Sequence, residues 1–228
     1  MNRFISAIIT IQFLSSSIAI NAQQQPFVIT GKITTPEAKD KVFLQYYYNA
    51  KSVKDSSIIT DGTFEFKGNI DNPLKAKISI PSLGKSGSTV DFFIEPNQTI
   101  AFNASGMLKN ATIDGGPVQN DYKLLKEMTA DHDEKYAVLI DEYTRLREAK
   151  DAEGVKNLDA RFDELSKVKK QILKTFVTQK PNSFVSFSSV LDISYMIDDE
   201  FLHLYNLLAT NFKETKNGKE LSSQIEKA

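Results

Sequence analysis

The hydrophobic pattern of this 228-residue chain changes its period once, and the change divides the chain into two parts. Before Asp114-Gly115-Gly116-Pro117, apolar and polar residues alternate over short runs, which is typical of β-strands. After that segment, apolar residues recur alternately every four and three positions, which is typical of an amphipathic α-helix. The sequence therefore predicts a β domain over residues 26–114 and a helical domain over residues 117–228.

The β part contains about eight short runs that are bounded by turn residues. Asp61-Gly62 predicts a hairpin turn, because glycine accepts the positive φ that tight turns require. Pro73, Pro81 and Pro96 stand where strands begin or end, since proline cannot donate to a ladder. A spacing of about ten residues predicts an antiparallel sandwich or barrel. The expected strands are Phe27 to Ile33, Val42 to Tyr48, Ser52 to Ile59, Thr63 to Gly68, Leu74 to Ile80, Val90 to Glu95, Thr99 to Ala104 and Ala111 to Ile113.

The helical part begins with two long apolar stripes. The segment 150–154 separates them and is short enough to force the two helices antiparallel, so we expect a helical hairpin over residues 117–180. The first stripe contains Val118, Tyr122, Leu125, Thr129, His132, Tyr136, Leu139, Tyr143 and Leu146. The second contains Val155, Leu158, Phe162, Leu165, Val168, Ile172 and Phe176.

Shorter helices are expected after Pro181, at residues 182–194, 199–211 and 218–227. Asn182 or Ser183 is expected to cap the first, and the Asp198-Asp199 pair the second. Asn217-Gly218 predicts a break before the last helix. The fold class expected from all these patterns is α+β: an N-terminal antiparallel β-sandwich or barrel, a long helical hairpin and short C-terminal helices.

The N-terminus has the pattern of an export signal. Arg3 precedes an apolar stretch, and the small residue Ala22 stands where cleavage is expected, so residues 1–22 are interpreted as a signal peptide. The stretch is a poor membrane span because Thr10, Gln12 and a run of serines interrupt it. We therefore expect a periplasmic or secreted protein with no stable membrane insertion.

The chain has no cysteine, and this excludes whole classes of chemistry. Disulfides, thiol redox pairs, cysteine nucleophiles and a lipid anchor on cysteine all require a thiol. His132 has acidic neighbours, but adjacent helical residues do not converge on one ion, so no metal site or cofactor is predicted. No G-x-S-x-G elbow suggests a serine hydrolase, and no basic stripe suggests nucleic-acid binding. The sequence predicts a protein that is not an enzyme.

Four runs of the sequence, in their order and spacing, resemble an uncharacterised β domain. They are FVITGKI (27–33), DSSIITDGTFEFKG (55–68), FFIEPNQTI (92–100) and DGGPVQNDY (114–122), with Pro181-Asn182-Ser183 and residues 217–221 further along. That domain stands N-terminal to a thioredoxin-like, peroxiredoxin-type domain in envelope proteins of some Gram-negative bacteria. The resemblance implies that the redox cysteines would lie beyond Ala228, and that this chain carries the accessory part without the reactive one.

Two functions remain from this reasoning. The first is a non-catalytic, exported interaction module whose partner is a thioredoxin-like domain or another envelope protein. Such a module is expected to pair with a second copy if its helical hairpin leaves the apolar stripes exposed. The alternative is a periplasmic protein that binds a glycan or peptide on the β-domain face near Tyr46 and Tyr48. These two tyrosines share one face of a strand while Tyr47 lies on the other.

Overall fold

The computed structural model describes residues 23–34, 41–84, 88–195 and 197–227, and the signal peptide predicted at 1–22 lies outside them. Eight strands come first in this part of the chain, each within two residues of its predicted bounds, and helices follow. The α+β fold class is therefore confirmed. The strands are β1 (Gln25–Ile33), β2 (Lys41–Tyr48), β3 (Lys51–Ile58), β4 (Thr63–Ile70), β5 (Leu74–Ser79), β6 (Thr89–Ile94), β7 (Thr99–Ala104) and β8 (Thr112–Asp114).

The strands form two four-stranded sheets packed as a sandwich, not a closed barrel. The first sheet has the order β4-β1-β7-β8, and the second has the order β3-β2-β5-β6. Neighbouring strands run antiparallel except β1 and β7, which run parallel. The alternation along a strand specifies which residues share a face and not which strand lies beside it, so the parallel pair is a feature that the sequence pattern did not reveal.

Inward-facing side chains of both sheets make one apolar core. Full burial of each large apolar side chain stabilises the fold by about 1.5–3 kcal/mol relative to leaving it exposed. The buried set includes Phe27, Ile29, Ile33, Val42, Leu44, Phe66, Ile70, Ile78, Phe92, Ile94, Ile100 and Phe102. Because the chain has no cysteine, packing of this kind holds the β domain together without any disulfide.

Two phenylalanine rings in the β1–β4 pair lie over glycines of the opposite strand. Gly31 is opposite Phe64, and Phe27 is opposite Gly68. A Cβ atom on Gly31 would lie 2.0 Å from the Phe64 ring, and one on Gly68 would lie 2.5 Å from the Phe27 ring. The ring therefore occupies the space of a side chain at both positions, and only glycine fits there.

The Asp61-Gly62 turn forms as predicted, with φ of 49° and 74°, but it does not close a hairpin within one sheet. The strands on either side of it, β3 and β4, belong to different sheets. Thr60 and Thr63 form an isolated bridge at the turn, where the chain crosses from the second sheet to the first. A tight turn fixes the reversal of the chain, while the pairing of the strands beyond it depends on the packing of the sandwich.

A turn that the sequence analysis did not identify joins β2 to β3. Asn49 and Ala50 both have positive φ, at 51° and 59°. Because a residue with a Cβ atom is strained in this conformation, we expect Ala50→Gly to raise the free energy of unfolding by about 0.5–1 kcal/mol in urea denaturation. The matched control is Ala149→Gly, since Ala149 has a φ of −74° and gains nothing from glycine. A decrease in stability for Ala50→Gly would contradict the assignment of strain.

The predicted helical hairpin is confirmed. It consists of α1 (Pro117–Glu148), α2 (Ala152–Asn157) and α3 (Asp159–Gln179). The second arm is made of α2 and α3, which a single residue in a turn, Leu158, separates. Three ion pairs show that the arms are antiparallel: Glu142 with Arg161, Asp133 with Lys169, and Asp121 with Lys180. From pair to pair the residue number falls in the first arm and rises in the second. In the residues that the structure describes, no helix is both long and apolar enough to cross a membrane.

Four shorter helices follow the hairpin: α4 (Phe184–Asp192), α5 (Asp199–Leu207), α6 (Thr210–Lys213) and α7 (Lys216–Ile225). The Ser183 hydroxyl caps α4, and the Asp198 carboxylate caps α5 by accepting the N–H of Phe201 at 2.8 Å. Both caps are among the predicted alternatives.

The ends of two of these helices differ from the prediction. The helix expected over 199–211 is divided, with Leu208 and Ala209 between α5 and α6. The break expected at Asn217-Gly218 is absent, because the Thr215 hydroxyl accepts the N–H of Gly218 at 3.1 Å and starts α7 earlier. A side-chain cap upstream therefore outweighs the weak helix propensity of a glycine in the first turn.

Candidate partner-binding site

The helical domain is attached to the sandwich through the outer face of the second sheet. Phe93 of β6 points out of the sandwich, yet it is only 2% exposed because helices cover it. Its ring packs edge-on against Tyr122 of α1 at 5.1 Å and against Phe184 of α4 at 6.1 Å. Phe93 thus belongs to the apolar core of the helices, although it lies on a strand.

Hydrogen bonds that two buried polar side chains accept from the backbone fix the start of α1 at this junction. Glu95 follows β6, and its carboxylate accepts the N–H of Val118 at 2.8 Å and that of Gln119 at 3.3 Å. The residue before the helix is Gly116, so the carboxylate supplies the cap from outside the helix. In return, Gln119 Oε1 accepts the N–H of Phe93 at 2.8 Å. Each half of the junction therefore satisfies backbone donors of the other half.

The environment of Glu95 explains two further features of the junction. Burial raises the pKa of Glu95, and although the N–H groups of Val118 and Gln119 act against this, the net shift is upward. Any other residue at position 116 would displace this carboxylate from Val118 and Gln119, because a Cβ atom there would lie 2.4 Å from Glu95 Oε1. The Gly115-Gly116 pair is thus more than a flexible connection between domains, since one of its members makes room for the carboxylate.

The other part of the same outer face is open. Phe43, Tyr47 and Ile58 lie there with exposed fractions of 38%, 66% and 66%, and we call these three residues the open face. Ile58 is opposite Lys41 in the register of β2 and β3, which places it diagonally from Phe43. The covered part begins across the sheet, where Lys75 of β5 bonds Asp192 of α4 at 3.2 Å. Large apolar residues on an outer sheet face commonly mark an interaction surface.

The two tyrosines singled out in the sequence occupy different positions from Tyr47. Tyr46 is 9% exposed and packs edge-on against Phe27 at 5.9 Å inside the sandwich, and this burial, followed by the charge of Asp55, raises its pKa. Tyr48 is partly buried, and its hydroxyl accepts a hydrogen bond from Gln24 at 2.7 Å. Of the three consecutive tyrosines, Tyr47 is therefore the one most available to a ligand. The signal for this was present in the sequence, because Val42 and Leu44 share the parity of Tyr46 and mark that side as the inner one.

His132 lies in an ionic cluster between the arms of the hairpin. It is buried, and its Nδ1 lies 3.0 Å from Asp133 Oδ1. Asp133 also accepts hydrogen bonds from Thr129 at 3.0 Å, from Lys169 at 3.5 Å and from Lys126. Burial would raise the pKa of Asp133, but the hydrogen bonds from Lys126 and His132 outweigh it and lower the pKa. Within the described ranges, no group of three or more possible ligands is placed to hold a metal ion.

Much of the aromatic stripe of the hairpin is used inside the hairpin. The Phe162 ring lies 5.8 Å from that of Tyr136 and 6.1 Å from that of Tyr143. Tyr136 and Val138 nevertheless remain exposed on α1. Self-association through the hairpin therefore stays a prediction.

These features define a β-sandwich with a helical arm that is attached through buried contacts, and with an open apolar face. Residues 27–122 match a family model described as Domain of unknown function (DUF4369). The match ends at Tyr122, the residue whose ring packs on Phe93, so it covers the sandwich together with the junction. No curated protein and no solved structure shows a significant match to the chain.

Proposed function

We propose that this protein is a non-catalytic, exported accessory module that binds a folded envelope protein through the open face. The observation that carries the proposal is the exposure of Phe43, Tyr47 and Ile58 on a sheet face whose other part is already an interface. Burial of such side chains is the main favourable term in protein association. Because Glu95 and Gln119 fix α1 to β6, a bound partner meets the sandwich and the helical arm in one arrangement.

The partner we propose is a thioredoxin-like domain carried on a separate polypeptide. The support is the resemblance of residues 27–122 and of the later runs to domains that precede thioredoxin-like domains. The absence of cysteine is compatible with such a partner, since a protein that only positions a thioredoxin-like domain needs no thiol of its own. The proposed location is the periplasm or the exterior, after removal of residues 1–22.

Site-specific crosslinking tests both the surface and the partner class. A photoreactive phenylalanine analogue at Tyr47 is expected to capture an envelope protein with a thioredoxin-like domain in intact cells. The same analogue at Tyr195, which is 77% exposed in the turn after α4, is the matched control and is expected to capture none. Equal capture at the two positions, or capture at Tyr47 of proteins without that domain, would contradict the proposal.

Affinity measurements on this protein and its purified partner show how much the open face contributes to binding. Phe43→Ser together with Tyr47→Ser is expected to raise the Kd about thirtyfold or more, as for the central residues of other interfaces. Tyr195→Ser is expected to leave the Kd unchanged. An unaltered Kd for the double variant would show that the partner binds elsewhere than on the open face.

A glycan-binding protein is the second candidate, and one observation favours it. Tyr47 is the more exposed of the two aromatic rings on this face, and the register of β2 with β3 places Ser52 opposite it. The Ser52 hydroxyl accepts a hydrogen bond from Gln45 at 3.2 Å. An aromatic ring beside such polar groups suits a sugar. Polysaccharide affinity gels separate the candidates, because only a glycan-binding protein is retarded by a gel and loses the retardation with Tyr47→Ala.

A further inference from the structure

In the described part of the chain, one edge of the second sheet has backbone hydrogen-bonding groups that no strand uses. β6 is the last strand of the order β3-β2-β5-β6, so β5 lies on one side of it. The N–H of Phe93 points to the other side, because it donates to Gln119 Oε1. Backbone groups two residues apart on a strand in an antiparallel pair point the same way, so those of Asp91 and Thr89 also face this edge.

The free edge of β6 opens into a groove of about 480 Å³, within the range of about 300–1,000 Å³ that is typical of ligand-binding clefts. One wall is Thr89, Val90 and Asp91. The opposite wall is the 3-10 turn Leu108–Asn110 and β8, which is itself the edge strand of the first sheet. α1 closes the groove with Gln119, Tyr122, Lys123 and Lys126.

The charge of the groove is positive. Three lysines, Lys109, Lys123 and Lys126, line it against one aspartate, Asp91. Lys126 is paired with Asp133, and Asp91 lies 3.9 Å from Lys77. In the part of the chain that the structure describes, Lys109 and Lys123 make no ion pair, so both ammonium groups are available to a ligand.

We infer that this groove binds an extended acidic peptide segment of another protein as an added strand along β6. The free backbone groups of Thr89 and Asp91 supply the main-chain hydrogen bonds, as in other cases of strand addition. Val90, Ala111 and Ile113 are partly buried beside them and supply apolar contacts for alternate side chains. Lys109 and Lys123 attract carboxylates, and Gln119 ends the added strand because it already occupies the acceptor position at Phe93.

This site goes beyond the proposed function, since it is a different surface. The open face lies on the outer side of β2 and β3, at the far end of the sheet from β6. Loss of peptide binding would therefore leave the proposal for Phe43, Tyr47 and Ile58 intact, and the reverse also holds.

The test uses the chain from residue 23 to its end and a fluorescein-labelled octapeptide of alternating glutamate and valine. Fluorescence anisotropy is expected to show saturable binding that weakens with added salt. Lys109→Glu with Lys123→Glu is expected to weaken it at least about tenfold. Lys150→Glu with Lys156→Glu changes the charge equally at the far end of the hairpin and is expected to have little effect. All four lysines are exposed, so the variants are expected to keep the thermal unfolding of the parent.

Two further peptides separate strand addition from simple charge attraction. The same octapeptide with N-methylated central residues keeps its charge but loses main-chain donors, and it is expected not to bind. A lysine–valine octapeptide is also expected not to bind. Undiminished binding of either peptide, equal effects of the two lysine pairs, or no saturation below about 1 mM of the glutamate peptide would overturn the inference.

Discussion

Phe93→Ala is expected to lower the free energy of unfolding by about 3–5 kcal/mol, the usual cost of removing a buried phenylalanine ring. The ring is the main apolar contact of the second sheet with the helices, through Tyr122 and Phe184. Its loss leaves a cavity at the junction while the hydrogen bond from the Phe93 N–H to Gln119 remains possible. We therefore expect the helices to unfold at a lower urea concentration than the sandwich, which amide hydrogen exchange measured separately in the helices and in the strands can show.

Phe43→Ala is the matched control for this experiment. Phe43 points out of the same sheet, but it lies on the open face and not under the helices. We expect a change below about 1 kcal/mol, as for surface substitutions in general. Similar losses for the two variants would show that Phe93 does not have the special role at the junction that its burial implies.

Gly31→Ala is expected to lower the free energy of unfolding by about 3 kcal/mol, at the upper end of the cost of overpacking. The added methyl group would lie 2.0 Å from the Phe64 ring, which packs against the rings of Phe66 and Phe102 in the core. Urea denaturation measures the loss. Thr30→Ala, at the exposed neighbouring position of β1, is the control and is expected to cost less than about 1 kcal/mol.

A double-mutant cycle tests the cause of that loss. If the Phe64 ring is what excludes a side chain from Gly31, Phe64→Leu should reduce the cost of Gly31→Ala, because the smaller side chain leaves room for the methyl group. If the losses of stability of the two single variants simply add, the methyl group at position 31 clashes with a group other than the Phe64 ring. The same reasoning applies to Gly68 under the Phe27 ring.

The sequence predicted the individual elements well because their patterns are local. Alternation fixed the eight strands to within two residues, and the stripes of period three to four located both arms of the hairpin. The caps at Ser183 and Asp198 were also readable, since a cap depends on residues only a few positions apart. The Asn49-Ala50 turn was missed because only its first position has a residue that such turns favour, and alanine stands at the second position, where glycine is usual.

The candidate site was harder to predict from the sequence, because its residues are far apart along the chain. Gln119 and Glu95 are polar residues in apolar surroundings, and nothing near either of them in the sequence predicts a partner 24 positions away. Phe93 has the parity of an exposed strand position, and only the arrival of α1 and α4 on that side of the sheet buries it. The sequence correctly placed Tyr47 on the opposite side of the strand from Tyr46 and Tyr48. The ligand contact, however, was predicted at Tyr46 and Tyr48, whose side of the strand faces the core.

The sequence by itself therefore determined the eight strands to within two residues, the helical hairpin, and which side chains share a face. Only the tertiary structure decided which sheet each strand joins, that β1 and β7 run parallel, and which face of the second sheet is covered by helices and which remains open. The physical reason is the range of the forces involved. Periodicity, caps and turns act over a few residues, whereas sheet order and burial depend on contacts between segments that the chain brings together only when it folds.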